Sequence, residues 1–222
     1  MSEYRVVERF VSINGEGALA GQLAVFIRFK GCNLNCGYCD TKWANVSDAP
    51  FELMTEVEIY EYIKSTDVKN VTLTGGEPLI QKDISVLLRK LAEDTSIHVE
   101  IETNGSISIK DFINIPNRPS FTLDYKLPES GMEESMRTDN YRFIDMRDTV
   151  KFVVSSLSDL DRACEVIELH SLDRVTNVYF SPVFGSIEPS KIVDYMIKHR
   201  LNGINIQLQM HKFIWDPNKR GV

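Results

Sequence analysis

The segment GCNLNCGYCD, residues 31–40, directly follows AVFIRF, residues 24–29, a run rich in β-branched and aromatic residues that predicts a strand. Similar runs predict further strands at residues 70–74, 98–102, 120–125, 149–154, 176–181 and 204–209. Helical spacing in several intervening segments favours right-handed βαβ units and a parallel sheet. Because 222 residues are fewer than the about 250 of a complete eight-stranded barrel, we expect an α/β fold, a partial TIM-type barrel of about six parallel strands.

Local signals predict where helices lie. Thr55 and Glu58 form a capping-box pattern, and Pro189 stands near the first turn of another helix. Apolar stripes predict three helices, with members Ile84, Leu87, Leu88 and Leu91, then Leu157, Leu160, Cys164 and Ile167, and then Ile192, Val193, Met196 and Ile197. The polar segment 126–140 lacks such a pattern, and we expect it to be a long loop.

Composition and charge limit the classes of function. The formal net charge is −7, with 32 acidic against 25 basic residues, so we expect no nucleic-acid partner. No apolar run reaches signal-peptide or membrane-span length, which predicts a cytoplasmic protein without a membrane partner. Because no repeat or flexible linker divides the chain, we expect one domain over residues 1–222.

Three cysteines lie close together in the first motif. Cys32, Cys36 and Cys39 place three soft thiolate donors on one short loop, which favours zinc or iron–sulfur chemistry. A zinc site of three cysteines and one histidine remains an alternative, although none of the four histidines has local zinc-knuckle spacing. A four-iron cubane held by three cysteines leaves one iron open to a small molecule. Cys164 lies on an apolar helical stripe and is expected to be a small core residue.

Two further motifs also follow predicted strands. TGGEP begins at Thr74, and ETNG begins at Glu102. The carboxyl ends of parallel strands meet at one opening, so we expect both motifs and the cysteine loop to share a site. Paired glycines at 75 and 76 allow a close approach of backbone to a ligand.

Together, the cysteine spacing and the GGE segment resemble the radical S-adenosylmethionine (SAM) enzymes. The resemblance implies a 4Fe–4S cluster on the three cysteines, with SAM bound to the open iron and cleaved to a radical that abstracts hydrogen from the substrate. It also implies SAM-binding residues, namely Tyr38 near the adenine, Thr74, Gly75, Gly76 and Glu77 at the amino group, and Glu102, Thr103 and Asn104 at the ribose and carboxylate. A simple turn is the alternative for Thr103 and Asn104. Ser155 and Ser181 are SAM-binding candidates by strand-end position alone.

Most of the chain resembles one radical SAM family, the 7-carboxy-7-deazaguanine synthases of queuosine and deazapurine biosynthesis. The resemblance is carried by SINGEGALAGQLAVFIRFKGCNLNCGYCDTKWA, residues 12–44, and INIQLQMHKFIWDPNKRGV, residues 204–222. It implies a homodimeric carbon–nitrogen lyase that converts 6-carboxy-5,6,7,8-tetrahydropterin to 7-carboxy-7-deazaguanine with loss of ammonia. Magnesium and a flavodoxin-type reductant are further expectations from the family.

The family pattern also implies substrate contacts. Arg28 is expected to bind the substrate carboxylate through a two-pronged guanidinium, and Glu16 to accept hydrogen bonds from the pyrimidine edge. His211 matches a substrate-facing histidine, and Thr41 matches the hydroxyl that coordinates magnesium. Asn14 stands where relatives commonly have glutamine.

Two other functions remain open at this point. A glycyl-radical-enzyme activase shares the short cysteine loop and GGE, but it binds a protein tail and does not require Arg28, Glu16 and His211 to converge. A non-catalytic iron–sulfur electron carrier leaves the GGE and ETNG segments without a role.

Overall fold

The computed structural model describes residues 2–222, whose nine strands form one sheet. The strands are β1 (Glu3–Ile13), β2 (Leu23–Phe29), β3 (Glu52–Thr55), β4 (Asn70–Gly75), β5 (His98–Thr103), β6 (Ser120–Tyr125), β7 (Thr149–Val154), β8 (Asn177–Pro182) and β9 (Ile204–Ile206). The helices are α1 (Lys42–Asn45), α2 (Glu56–Ser65), α3 (Ile84–Ala92), α4 (Leu157–His170), α5 (Pro189–His199) and α6 (His211–Ile214).

The sheet confirms the predicted parallel α/β architecture. Its strand order is β3-β1-β2-β4-β5-β6-β7-β8-β9, with parallel pairing from β2 through β4 to β9. Each of the seven β-rich runs forms one of these parallel strands, one more than the expected number. In the described part of the chain, β3 and β9 are the sheet's two ends, so the barrel is open.

Two strands, β1 and β3, were not predicted from the sequence. β1 pairs antiparallel with both β2 and β3 and extends the sheet beyond its parallel part. β1 carries charged residues between its apolar ones, and β3 has only four residues. Neither strand has the continuous apolar character of a parallel strand that is covered on both faces, so the β-rich pattern did not reveal them.

The helices begin where the local signals predicted. The capping box of Thr55 and Glu58 is formed in full at the start of α2. Pro189 occupies the first turn of α5, and the other two apolar stripes lie on α3 and α4. Segment 126–140 is more ordered than a pattern-free loop, because it contains short 3₁₀ helices at Pro128–Ser130 and Glu133–Ser135 and the start of a third at Thr138–Arg142. Asn140 also pins it by donating to the Ile107 carbonyl at 2.8 Å.

The two faces of the parallel sheet have opposite character. Successive strand residues point to opposite faces, and one face buries apolar side chains against the helices, including Leu73, Ile101, Phe121, Phe152 and Phe180. The alternating residues on the other face are polar and buried, and include Thr72, Glu100, Thr122 and Lys151. The concave face of the open barrel is therefore built for polar chemistry. None of the helices in residues 2–222 combines the length and apolarity needed to cross a membrane.

Candidate active site

A cavity of about 760 Å³ opens at the carboxyl ends of the parallel strands. It brings together all but three of the residues predicted for the site. Those that line it are Glu16, Arg28, Cys32, Cys36, Tyr38, Cys39, Thr41, Thr74, Gly75, Gly76, Glu102, Thr103, Asn104, Ser181 and His211. The expectation that the three motifs share one opening is correct, because parallel strands deliver their following loops to the same edge.

The cysteine loop has the donor set that an iron–sulfur cluster requires. Cys32, Cys36 and Cys39 are free thiols that line the same cavity. Burial raises the pKa of Cys36, and the neighbouring Cys39 and Cys32 raise it further, while Lys126 opposes this. Within residues 2–222, no three His, Cys, Asp or Glu side chains are spaced to hold a single metal ion, so the fit rests on the thiol set and the shared cavity.

Asn104 connects the ETNG segment to the cysteine loop. Its Nδ2 lies 3.5 Å from Cys32 Sγ and donates to Asn33 Oδ1 at 3.0 Å. The backbone N–H of Leu34 also donates to Cys32 Sγ, at 3.4 Å. Donors aimed at a sulfur stabilise a thiolate, which is the form that binds iron.

The paired glycines are required by the protein's own backbone. A Cβ on Gly76 would lie 1.8 Å from the Gly31 carbonyl oxygen, and Gly75 has φ +129°. The Gly76 N–H donates to the Phe29 carbonyl at 3.0 Å. The GGE segment therefore packs directly against the residues that enter the cysteine loop. Close approach was predicted, but the neighbouring backbone is what makes a side chain impossible here.

Glu77 differs from the expectation that its side chain binds SAM. It is fully buried and is absent from the cavity wall. Its carboxylate accepts hydrogen bonds from Leu79 N at 3.0 Å, Thr103 Oγ1 at 2.8 Å and Asn104 N at 2.7 Å. Burial raises its pKa, and these bonds oppose the rise. The Glu77 side chain thus holds the GGE and ETNG loops together. The cavity wall is formed by its neighbours Gly76, Thr103 and Asn104.

Ser155 and Asn14 are also placed outside the cavity wall. Ser155 donates from its hydroxyl and its backbone N–H to Asp159 Oδ2, at the start of α4. Asn14 is buried, and its Oδ1 accepts from Thr72 Oγ1 at 2.9 Å. Strand-end position is the only support for Ser155 as a SAM contact, and in the structure its hydroxyl bonds to Asp159 next to Ser156, the N-cap of α4.

Glu16 lines the cavity among three polar partners. Ser181 Oγ donates to its Oε1, Gln209 Nε2 donates to its Oε2 at 3.0 Å, and Lys151 Nζ lies 3.3 Å from Oε2. Ser181 therefore faces the predicted substrate end of the cavity. Sequence reasoning missed Lys151 and Gln209.

A buried charge network continues from Glu16 along the concave face. Lys151 Nζ lies 3.2 Å from Asp124 Oδ1, and Lys126 Nζ donates to Asp124 Oδ2 at 3.0 Å. Burial alone would lower the pKa of Lys151, but Asp124, Glu16 and Glu102 raise it well above its usual value. The lysine is therefore an ammonium. Asp124, in β6, and Lys126, which directly follows this strand, were both missed. Alternation along β6 and β7 places Asp124 and Lys151 on the face that carries Glu102.

Glu102 and Tyr38 line the cavity as predicted. Thr74 Oγ1 donates to Glu102 Oε2 at 2.8 Å, which joins the ends of β4 and β5. The Tyr38 hydroxyl lies 3.5 Å from the Val153 carbonyl oxygen, and burial raises the pKa of Tyr38 to about 12. Tyr38 therefore presents a neutral aromatic ring to the cavity.

Arg28 presents a partly used guanidinium to the cavity. Its Nε donates to Glu8 Oε2 at 3.0 Å, a contact that sequence reasoning did not foresee because β1 was not recognised. Among residues 2–222, no other partner is found for this guanidinium, so its two terminal nitrogens are open to a ligand. A pair of parallel donors is suited to a carboxylate.

Thr41 and His211 complete the predicted set. Thr41 Oγ1 donates to Asp40 Oδ1 at 2.9 Å at the start of α1. His211 packs on Gly15 so closely that a Cβ there would lie 2.7 Å from His211 Nδ1. Burial lowers the pKa of His211, as does Lys212, whereas Glu16 raises it.

Comparison with known proteins agrees with this geometry. Residues 26–153 match the family model of the radical SAM superfamily. A 7-carboxy-7-deazaguanine synthase of Clostridium acetobutylicum is 60% identical over 219 residues, covering 99% of both chains. One from Chlorobaculum tepidum is 35% identical and covers 98% of this chain and 96% of its own. This chain belongs to the 7-carboxy-7-deazaguanine synthase family.

Two solved structures share the fold of this synthase family member. The crystal structure of QueE from Escherichia coli superposes with a TM-score of 0.74 at 21% identity, covering 94% of this chain and 95% of that one. Streptococcus suis SuiB bound to S-adenosylmethionine gives a TM-score of 0.54 at 15% identity, covering 82% of this chain and 48% of that one. Both likenesses concern the fold alone.

Membership of the synthase family settles the cofactor class. The cofactors are a 4Fe–4S cluster and SAM, as in the radical SAM superfamily. The activase and the non-catalytic electron carrier are not favoured. The two relatives quoted above match this chain over nearly their whole length, and both are named as synthases.

Proposed function

We propose that this protein converts 6-carboxy-5,6,7,8-tetrahydropterin to 7-carboxy-7-deazaguanine, contracting the ring with loss of ammonia, in queuosine and deazapurine biosynthesis. The observation that carries the proposal is a single cavity with the three-cysteine loop on its wall and Arg28, Glu16 and His211 beside it. A flat, carboxylated, donor-rich pterin needs a cation, a hydrogen-bond acceptor and a polar ring in such an arrangement.

In this proposal, the cavity wall next to the cysteines binds the cofactors. Cys32, Cys36 and Cys39 hold the cluster, which together with SAM supplies hydrogen-atom abstraction when bound. SAM is held by side chains and backbone at the ends of β4 and β5 and by Tyr38; the residues are Tyr38, Thr74, Gly75, Gly76, Glu102, Thr103 and Asn104. Glu77 acts by bonding to the two loops that carry these groups.

The substrate binds in the same cavity. Arg28 pairs its free nitrogens with the substrate carboxylate while Glu8 holds its Nε. Glu16 accepts from the pyrimidine edge, while Lys151 Nζ lies 3.3 Å from its Oε2. His211, whose pKa is lowered, donates or accepts as a neutral ring. Thr41 contributes one hydroxyl to a magnesium ion that otherwise binds substrate and water.

Further parts of the proposal concern the assembly and its surroundings. The enzyme is a homodimer that receives electrons from a flavodoxin-type reductant, as family resemblance suggests. It works in the cytoplasm, where reduced thiols persist. Residues 1–222 form one radical SAM domain, a proposal supported by a single sheet that includes strands from Glu3 to Ile206.

The test is an assay of the anaerobically reconstituted protein with the carboxypterin, SAM and a strong reductant. We expect 7-carboxy-7-deazaguanine by mass spectrometry, with 5′-deoxyadenosine detected. A protein that cleaves SAM but leaves the carboxypterin unchanged would contradict the synthase proposal. A cluster whose spectrum does not respond to SAM would contradict radical SAM chemistry altogether.

A further inference from the structure

The loop that carries Glu16 crosses the concave face of the open barrel. We call residues 14–17 the floor segment. Asn14 is bonded to Thr72 on β4, and Gly17 packs on Glu100 of β5, where an added Cβ would lie 3.0 Å from its Oε1. Between these two anchors, Glu16 reaches Lys151 on β7 and Ser181 on β8.

Gln207 holds the far end of the floor segment. Gly17 N donates to Gln207 Oε1 at 2.7 Å, and Gln207 Nε2 donates to the Gly17 carbonyl at 3.0 Å. The Gln207 amide thus bonds to both the N–H and the carbonyl of Gly17, as the backbone of a neighbouring strand would. Gly17 is buried, so the N–H that Gln207 satisfies would be costly to leave without a partner.

This contact lies where the barrel is open. β9 ends at Ile206 and, in the part of the chain that the structure describes, pairs with β8 only. The chain beyond it then runs beside the floor segment, with Met210 N donating to the Gly15 carbonyl at 3.1 Å. Side-chain and backbone contacts to the floor segment therefore replace sheet pairing on this side of the cavity.

We propose that Gln207 is a positioning residue, which places Glu16 for the substrate by binding the Gly17 peptide next to it. Gln207 is absent from the cavity wall, whereas Gln209 lines it and contacts Glu16 directly. Gln207 therefore acts through the backbone of the floor segment. The inference rests on the proposed substrate role of Glu16.

The test compares Gln207→Leu with Asn205→Ala, a control on an exposed residue of β9. Leucine keeps most of the volume and removes both hydrogen bonds. We expect faster amide exchange in the peptide that contains Gly17 and a roughly tenfold or greater rise in KM for the carboxypterin. Iron content and SAM cleavage without substrate should match the wild type, and Asn205→Ala should show neither change. Gln207→Glu, which keeps the acceptor for Gly17 N but loses the donor, should fall between them.

A double-mutant cycle shows whether the effect passes through Glu16. Gln207→Leu should add little to Glu16→Gln, because the positioned carboxylate is already gone. Full additivity, an unchanged KM, or loss of the cluster in Gln207→Leu would overturn the inference. If Gln207→Leu turns over the carboxypterin normally while Glu16→Gln loses activity, the inference about Gln207 fails and the synthase proposal stands. If the wild type does not turn over the carboxypterin, the proposed function fails, while amide exchange still tests whether Gln207 holds Gly17.

Discussion

Lys151 Nζ lies 3.3 Å from Glu16 Oε2, an ion pair between strand β7 and a loop 135 residues earlier in the chain. The side chains of Lys151 and Glu16 are only 7% and 9% exposed, so solvent screens the pair weakly. The same ammonium lies 3.2 Å from Asp124 Oδ1, so one cation pairs with two carboxylates that line the same cavity.

Lys151→Met should therefore destabilise the protein and reduce turnover. Removing one partner from a buried charge pair costs about 3–5 kcal/mol, because the carboxylates left behind lose their compensating cation. Unfolding by urea and kcat/KM for the carboxypterin measure the two effects. Lys151→Arg should retain much of the stability, and Lys90→Met, at a surface pair with Glu93, should change little. A Lys151→Met protein as stable as the wild type would show that the network is not needed.

Alanine at Cys32, Cys36 or Cys39 should abolish the cluster. Anaerobic reconstitution of the wild type should give about four irons and four sulfides per chain, since three thiolates hold the cubane. Cys164→Ala is the matched control, because Cys164 lies on α4 against the core and away from the cavity wall. Iron and sulfide analysis decides the matter, and stoichiometric zinc without sulfide would contradict the assignment.

Arg28→Ala should lose most activity toward the carboxypterin. Removing one side of a charge-assisted pair costs about 2–5 kcal/mol, or roughly 30-fold to several thousand-fold in kcat/KM. Arg28→Lys should recover little, because lysine cannot bond to Glu8 and to both carboxylate oxygens with one planar group. Iron content and SAM cleavage without substrate are the controls, and both should persist. Normal turnover by Arg28→Ala would remove this residue from the substrate site.

Magnesium should raise turnover, and Thr41→Val should weaken that dependence. The variant is close in shape to the native residue but lacks the hydroxyl oxygen, one of the hard ligands that magnesium prefers. The measurement is turnover as a function of magnesium concentration. SAM binding is the control, because a change at the magnesium site alone should leave it unchanged. Equal rates in the presence of a chelator would leave Thr41 with only its hydrogen bond to Asp40.

Glu100 should make stability fall as pH rises. Burial, followed by the charge of Glu102, raises the pKa of Glu100 from 4.5 to about 7, although Thr122 bonds to it at 2.6 Å. A raised folded-state pKa means that the stabilising contribution is fully present below about pH 4.5 and is lost as pH rises through about 7. The stability of Glu100→Gln relative to the wild type should therefore be higher at pH 8 than at pH 5. Urea midpoints at both pH values test this, and parallel pH profiles would refute it.

Local pattern was enough to determine much of this molecule. Seven parallel strands, the capping box of α2 and the motifs after β2, β4 and β5 depend on side-chain periodicity and short spacings that the chain carries in itself. Because parallel strands deliver their carboxyl ends to one edge, the meeting of the cysteine loop, GGE and ETNG also followed from sequence. The same reasoning could not reveal β1, whose place depends on pairing with β2.

Only the tertiary structure decided how the polar side chains share their partners. Glu77 and Ser155 follow strands as the cavity residues do, yet their neighbours in space bind them away from the cavity. The sequence assigned no site role to Lys151 or Gln207, yet both bond to the segment around Glu16 across more than a hundred residues of chain. Spacing along a chain determines local geometry, whereas burial and long-range hydrogen bonds determine which polar groups remain free for a ligand.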